Sequence, residues 1–280
     1  MTTLSLITVV CNGASVIRDC LVSVAGQSSP CEHIVIDGAS TDGSLEVIRQ
    51  FPHVARVLSE PDKGIYDAMN KGIGLATGDV VGILNADDVY ASPQVLEKVM
   101  RVFDDPHVEA CYGDLVYIGE RAGSKEIISA QWRDCEGERS YDNSLSRDHS
   151  ASPGFDIVRC WKSGPYDPRK FYWGWMPPHP TFFVRRSNYK KYGAFNLELG
   201  SAADYELMLR FLLKHRVTAA YIPEVLVHMR TGGVSNASLK NRLRANRMDR
   251  LAWKVNGLRP YPWTLICKPL RKVGQWVWRQ

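Results

Sequence analysis

VVGILNADDVY, residues 80–90, decides how this chain is built. The apolar run 80–84 is too short for a helix and reads as a buried strand. Asp87 and Asp88 follow almost at once, placing two like charges where the strand stops. Adjacent carboxylates repel, so they must be solvated, capped or neutralised. Ser92 followed by Pro93 makes a better cap and first-position pair for the next helix, which leaves the aspartates free. Hard carboxylate oxygens suit Mg²⁺ or Mn²⁺, and either ion can bridge phosphate oxygens.

Upstream of this strand, the runs 4–11, 33–37 and 54–59 are also apolar and strand-like. Helical stripes separate them: Val16, Ile17, Cys20, Leu21 and Val24; then Leu45, Ile48 and Phe51; then Tyr66, Met69, Ile73 and Ala76. Strands alternating with helices predict a mainly parallel, Rossmann-like central sheet flanked by helices, an α/β architecture. Ligands of such sheets bind beyond the carboxyl ends of the strands. Asn12, Asp37 and the Asp87/Asp88 pair all fall at such ends. Downstream, residues 119–176 read as loop-rich and aromatic. PTFFVRR (180–186) reads as a strand, 203–214 as a helix and 218–230 as a last strand pair.

Four further stretches carry polar groups with chemical potential. In DGASTDGS (37–44), Ser40, Thr41 and Asp42 are placed to cap a helix, and Asp37 can accept a ring N–H from a ligand. In 60–79, Gly72, Gly74 and Gly78 lie late in a helical pattern and before a strand. That order is the reverse of a dinucleotide loop; Asp62, Lys63 and Gly64 instead form a turn into the helix. ADYELMLR (203–210) puts Asp204 and Glu206 in a first helical turn, where acids are ordinary dipole partners but where a general base is also possible. His179 sits between two prolines, while His228 and Arg230 precede the TGG loop; His228 reads as a structural strand residue or as a metal ligand.

Composition narrows the class. The 280 residues are 45% hydrophobic, ample for a core. Seven scattered cysteines include no C-x-x-C pair, which argues against zinc ribbons and thioredoxin chemistry and for a reducing cytosol. No apolar run approaches the ~20 residues of a membrane span, and MTTLSLITVVC reads as a first strand rather than a signal peptide. The net charge of +5 hides an asymmetry: residues 236–280 hold eleven Lys or Arg and the single acid Asp249, a net +10 that leaves −5 for the rest. Ile266, Leu270, Val273 and Val277 share one helical stripe in that tail, with Lys268, Arg271, Lys272 and Arg279 opposite and Trp276 and Trp278 beside it. This pattern suits an amphipathic helix at an anionic membrane surface or one packed on the protein's own core.

Taken in order, I-D-G-A-S-T-D-G, G-I-Y-D-A-M-N-K-G-I, L-N-A-D-D, P-P-H-P-T-F-F and A-D-Y-E resemble the family 2 glycosyltransferases of GT-A fold over roughly residues 3–235, in particular the bacterial exopolysaccharide, O-antigen and colanic-acid-type branch. The resemblance implies a GT-A domain over 1–235, with a nucleotide-sugar half (1–115) and an acceptor half (116–235), followed by a basic helical tail (236–280). It implies an inverting, metal-dependent hexosyltransferase-type enzyme (EC 2.4) using Mg²⁺ or Mn²⁺. The donor would be a nucleotide-diphosphate sugar and the acceptor a lipid-linked glycan in surface polysaccharide biosynthesis. The protein would be cytoplasmic and held peripherally on the inner membrane face through the tail, without a nucleic-acid partner. Thr8, Asn12, Asp37, Lys63, Asp67 and Asp87 would bind the nucleotide sugar, Asp88 the metal, and Asp204 would be the catalytic base. His179, His228 and Arg230 would contact acceptor or metal. Three positions depart from the pattern: Gly38 replaces a second aspartate, Ala203 replaces a glutamate, and Thr231 and Gly232 follow Arg230 where a histidine is usual. Two other classes compete. A sugar nucleotidyltransferase would want a better triphosphate loop than NGASVIRD (12–19), and a non-catalytic carbohydrate- or nucleotide-binding protein would not need Asp88 and Asp204.

Overall fold

The computed structural model describes residues 2–120, 155–231 and 239–277. Its first half alternates as expected: β1 (Leu4–Val10), α1 (Ile17–Ala25), β2 (Glu32–Asp37), α2 (Ser44–Ile48), β3 (Val54–Ser59), α3 (Ile65–Leu75) and β4 (Val80–Asn85). The short β5 (Asp88–Tyr90), α4 (Val95–Val102) and the long β6 (Ala110–Glu120) follow. Beyond residue 154 come β7 (Phe155–Trp161), β8 (Phe183–Arg185), α5 (Arg186–Tyr192), α6 (Ala203–Met208), β9 (Ala219–Arg230), α7 (Leu239–Val255) and α8 (Thr264–Val277). A π-helical turn, Leu209–Lys214, continues α6.

One sheet of nine strands runs in the order β3-β2-β1-β4-β8-β6-β9-β5, with β7 also on β6. β1 through β4 are parallel to one another. Beyond β4 the sheet becomes mixed, since β8 is antiparallel to both β4 and β6 while β9 is parallel to β6. This is a GT-A-like α/β fold. β1, β2 and β4 are buried on both faces because helices cover both sides, while β3 is the exposed edge. One cluster packs Ile7, Ile34, Ile36 and Val81 against Met69, Ile73 and the residues around Leu207–Leu213. A second packs Leu4, Leu6, Leu84 and Phe183 against Leu96 and Val99 of α4 and Phe103 just beyond it.

Several expectations need correcting. Residues 218–230 form one strand rather than a pair. A register shift beside Asp114 bends it, so that its first part lies on β6 and its last part also bonds β5. Ser92 does not cap α4; the tertiary contact from Gln27 does so, accepting from the Leu96 N–H at 2.9 Å and donating to the Ser92 carbonyl. The basic tail is not a separate appendage. Trp253 is wholly buried and donates from Nε1 to the Tyr205 hydroxyl at 3.0 Å. Asn256 donates to Glu206, and Thr264 to the Tyr172 carbonyl. Gly174, at φ +73°, lets the backbone of Cys267 and Lys268 approach so closely that any Cβ there would overlap it.

Candidate active site

Strand register sets the floor of the site. Val10 pairs with Asp37, Asp37 with Ser59, and Val9 with Asn85, so the four parallel strands end at one level. Two loops are laced together above that level. Asn12, in the left-handed region at φ 54°, donates its N–H to Ser40 Oγ and accepts from the Thr41 N–H. The Ala14 N–H donates to Asp42, which also accepts from the N–H of Ser44 at the start of α2. Asp37 is fully buried and receives the Ser40 N–H and the Ser59 hydroxyl. The departure at Gly38 has a physical counterpart: a Cβ there would lie 2.5 Å from Asp62 Oδ2, so the Asp62 carboxylate fills the space that a side chain at 38 would take.

The opening pair behaves asymmetrically. Asp87 is half-buried, whereas Asp88 is wholly buried, because β5 pairs with β9 through Asp88 opposite Met229. Asp88 Oδ2 accepts from Asn85 Nδ2 at 2.9 Å. Asp88 Oδ1 and Asn85 Oδ1 are both buried with no hydrogen-bond partner. Burial, and next the charge of Asp87, push the Asp88 carboxyl well above the usual carboxylate range; Asn85 and Arg230 oppose the shift. Arg230 in turn is ion-paired with Asp19. Two buried acceptor oxygens with nothing to accept are a strong deficit in a protein interior, and a hard divalent cation would meet it. Among the described residues no three His, Cys, Asp or Glu side chains converge. The fit is therefore to an ion completed by donor phosphates and water, as Mg²⁺ commonly is.

Asp204 opens α6 and accepts from the Tyr205 N–H. The Tyr66 phenol interacts with its carboxylate and backbone; burial first, and then the Asp204 charge, hold that phenol far above its usual range. His179 also faces Asp204, and its ring edge meets Phe195 at 5.6 Å. Burial lowers the His179 pKa against the pull of Asp204, which favours a neutral imidazole. Tyr117 feels both Asp88 and Asp204, and Arg159 lies over its ring at 3.7 Å. The Tyr117 phenol thus lies within electrostatic reach of both carboxylates singled out from sequence.

Other expected site residues lie elsewhere. Thr8 is fully buried in mid-strand, 2.9 Å from His33 Nε2, and so does not reach the strand-end surface. His228 pairs with Val89, one residue out of phase with Asp88, and alternation puts it on the opposite face of the sheet. There it packs against Phe155, and burial lowers its pKa to about 4. Lys63 is exposed; its N–H, like Lys71 Nζ at 3.8 Å, is directed at Asp67, which braces its own turn. Tyr66, Asn85, Tyr117 and Arg159 escaped the sequence reading. Tyr66 gave a signal of a kind, since it begins an apolar stripe yet carries a hydroxyl. Tyr117 and Arg159 gave none, being brought together by the pairing of β6 with β7.

Strand-end carboxylates on a sheet of this order fit the GT-A architecture. The chain belongs to glycosyl transferase family 2, whose model matches residues 5–193. An uncharacterized glycosyltransferase of Mycobacterium tuberculosis, MT1564, is 33% identical over 215 residues, covering 75% of this chain and 69% of its own length. A PGL/p-HBAD biosynthesis glycosyltransferase of Mycobacterium bovis is 28% identical over 231 residues, covering 80% and 76% respectively. Among solved structures, Staphylococcus aureus TarS 1–349 in complex with UDP-GlcNAc superposes with a TM-score of 0.63 at 17% identity, over 91% of this chain and 66% of that one. The mannosyltransferase PcManGT of Pyrobaculum calidifontis, with GDP-Man and Mn²⁺, gives 0.60 at 18% identity, over 96% and 73%. At those identities the structural likeness concerns the fold.

Proposed function

We propose that the protein transfers a sugar from a nucleotide-diphosphate sugar to a hydroxyl of a lipid-linked glycan, inverting the anomeric centre, in assembly of a surface polysaccharide at the inner membrane face. The observation that carries this reading is the wholly buried Asp88, with an unpartnered oxygen, immediately beyond the end of β4. The UDP-GlcNAc and GDP-Man complexes of the two structural relatives support a nucleotide-sugar donor, and the relative named for PGL/p-HBAD biosynthesis supports a biosynthetic role.

Asp37, Asn12 and Asp62 ring the position expected for the nucleobase. Asp88, with Asn85 Oδ1 beside it, would hold Mg²⁺ or Mn²⁺, whose charge offsets that developing on the leaving diphosphate. Asp87 is free to meet the ribose or the donor sugar. Asp204 takes the proton of the acceptor hydroxyl as it attacks the anomeric carbon, and Tyr66 and the neutral His179 hold that carboxylate in place. Positioned acid–base help is worth ~10²–10⁴-fold in rate. Asp204→Asn is accordingly expected to lose transfer by about that factor while retaining donor binding. Transfer at the wild-type rate in this variant would remove Asp204 from the role.

A further inference from the structure

Of the two orientations open to α8, the structure turns its apolar positions Ile266 and Leu270 outward. Thr264 and Leu265 are buried, and Lys268, expected on the wet side, points inward: its Nζ bonds Asp249 at 2.7 Å and lies 3.5 Å from the centroid of the Tyr205 ring. The apolar stripe is left outside, with Ile266 and Leu270 each 61% exposed. Trp263, one turn before Ile266, is 42% exposed, Tyr261 is 47% exposed and Trp173 is 54% exposed. These side chains are continuous: the Trp263 ring lies 5.8 Å from Trp173 and 5.0 Å from Tyr261. The patch therefore joins α8 to a 3₁₀ turn (Pro168–Trp173) some ninety residues earlier, and the close backbone approach at Gly174 locks the two together.

We propose that this composite face is a docking surface for an anionic lipid leaflet. Trp and Tyr rings around aliphatic side chains are the composition of a membrane-interface anchor. Arg259 and Arg271 are exposed beside the patch, and the two acids that flank its segments are already paired, Asp167 with Arg169 and Asp249 with Lys268. A second copy of this chain is disfavoured as the occupant, because a twofold contact would bring like cations together while these acids are engaged elsewhere. The face rests on the proposed reading for its place at the inner membrane and on none of the active-site geometry. Lys268, on the inner side of the same helix, touches the residue next to Asp204, so docking fixes the proposed base relative to the leaflet.

The test is co-sedimentation of the full-length protein with phosphatidylcholine vesicles, with and without about 30% phosphatidylglycerol. Two variants are compared, Trp173→Ala with Trp263→Ala, and Ile266→Ser with Leu270→Ser; thermal unfolding verifies that each is folded. Wild type is expected to partition onto the anionic vesicles, and each double variant to do so at least ~10-fold more weakly. Folded variants that partition like wild type, or wild type that ignores anionic vesicles, would overturn the proposal. So would a lipid-free dimer that the substitutions convert to monomer, since the face would then belong to a second copy. Stabilisation by UDP- and GDP-sugars, read on the same samples, is expected to be unchanged by the substitutions. Its absence in wild type would count against the transferase reading and leave the vesicle result standing.

Discussion

Replacing Asp88 by asparagine isolates the conflict built into the site. In the ligand-free protein Asp88 is a buried carboxyl with one oxygen unpartnered, beside the charge of Asp87. Asparagine keeps the shape, removes the charge, and offers an N–H₂ to the equally unpartnered Asn85 Oδ1. Leaving a buried polar group unsatisfied costs about 1–3 kcal/mol, more if charged. The variant should therefore be more stable than wild type in chelator near pH 7.5, by about 2–12 °C at ~2–4 °C per kcal/mol. The sign with pH follows from linkage. The folded carboxyl has a raised pKa, so the folded chain holds its proton where the unfolded chain has released it, and wild-type stability falls as pH rises above the ordinary value of ~3.9. The advantage of Asp88→Asn should vanish below about pH 4 and widen above it, by at most ~1.4 kcal/mol per pH unit, until the folded pKa is reached. With Mn²⁺ and donor the order should reverse. Wild type then gains ~2.7 kcal/mol at a hundredfold excess over Kd, and the variant gains little. Scanning fluorimetry of both proteins across pH, in chelator and in Mn²⁺ with donor, measures all of this. A variant no more stable than wild type in chelator would refute the account of a carboxylate kept at a cost for a cation.

Two further outcomes follow from geometry. His228→Leu should leave the Mn²⁺-dependent stabilisation by donor unchanged, because His228 lies on the face away from Asp88; loss of the metal response in a folded variant, read by the same fluorimetry, would show that it completes the site. Gly174→Ala should undock α8, since a Cβ meets the Lys268 backbone at 2.4–2.6 Å and the residue sits at positive φ. Proteolysis is expected to cut near 254–263 faster than in wild type, and unchanged cleavage would mean that the contact relaxes at little cost.

The sequence by itself determined the parallel half of the sheet, because each of its strands is a short apolar run ended by a polar residue and each intervening helix repeats at 3.6. It also determined that Asp37, Asp87, Asp88 and Asp204 were the carboxylates to watch, since they stand at strand ends or at a helix start. Tertiary structure alone decided how they are disposed. Asp88 and Asp204 lie more than a hundred residues apart in sequence, yet the Tyr117 phenol is within electrostatic reach of both. Period-two alternation is a property of pairing register, so no local pattern could tell that His228 faces away from Asp88 or that Thr8 turns into the core. The tail is the sharpest instance. Its charge pattern was equally compatible with either orientation of α8. Trp253, Asn256 and Lys268 found partners in Tyr205, Glu206 and Asp249, and those contacts, invisible in sequence, left Ile266 and Leu270 facing outward.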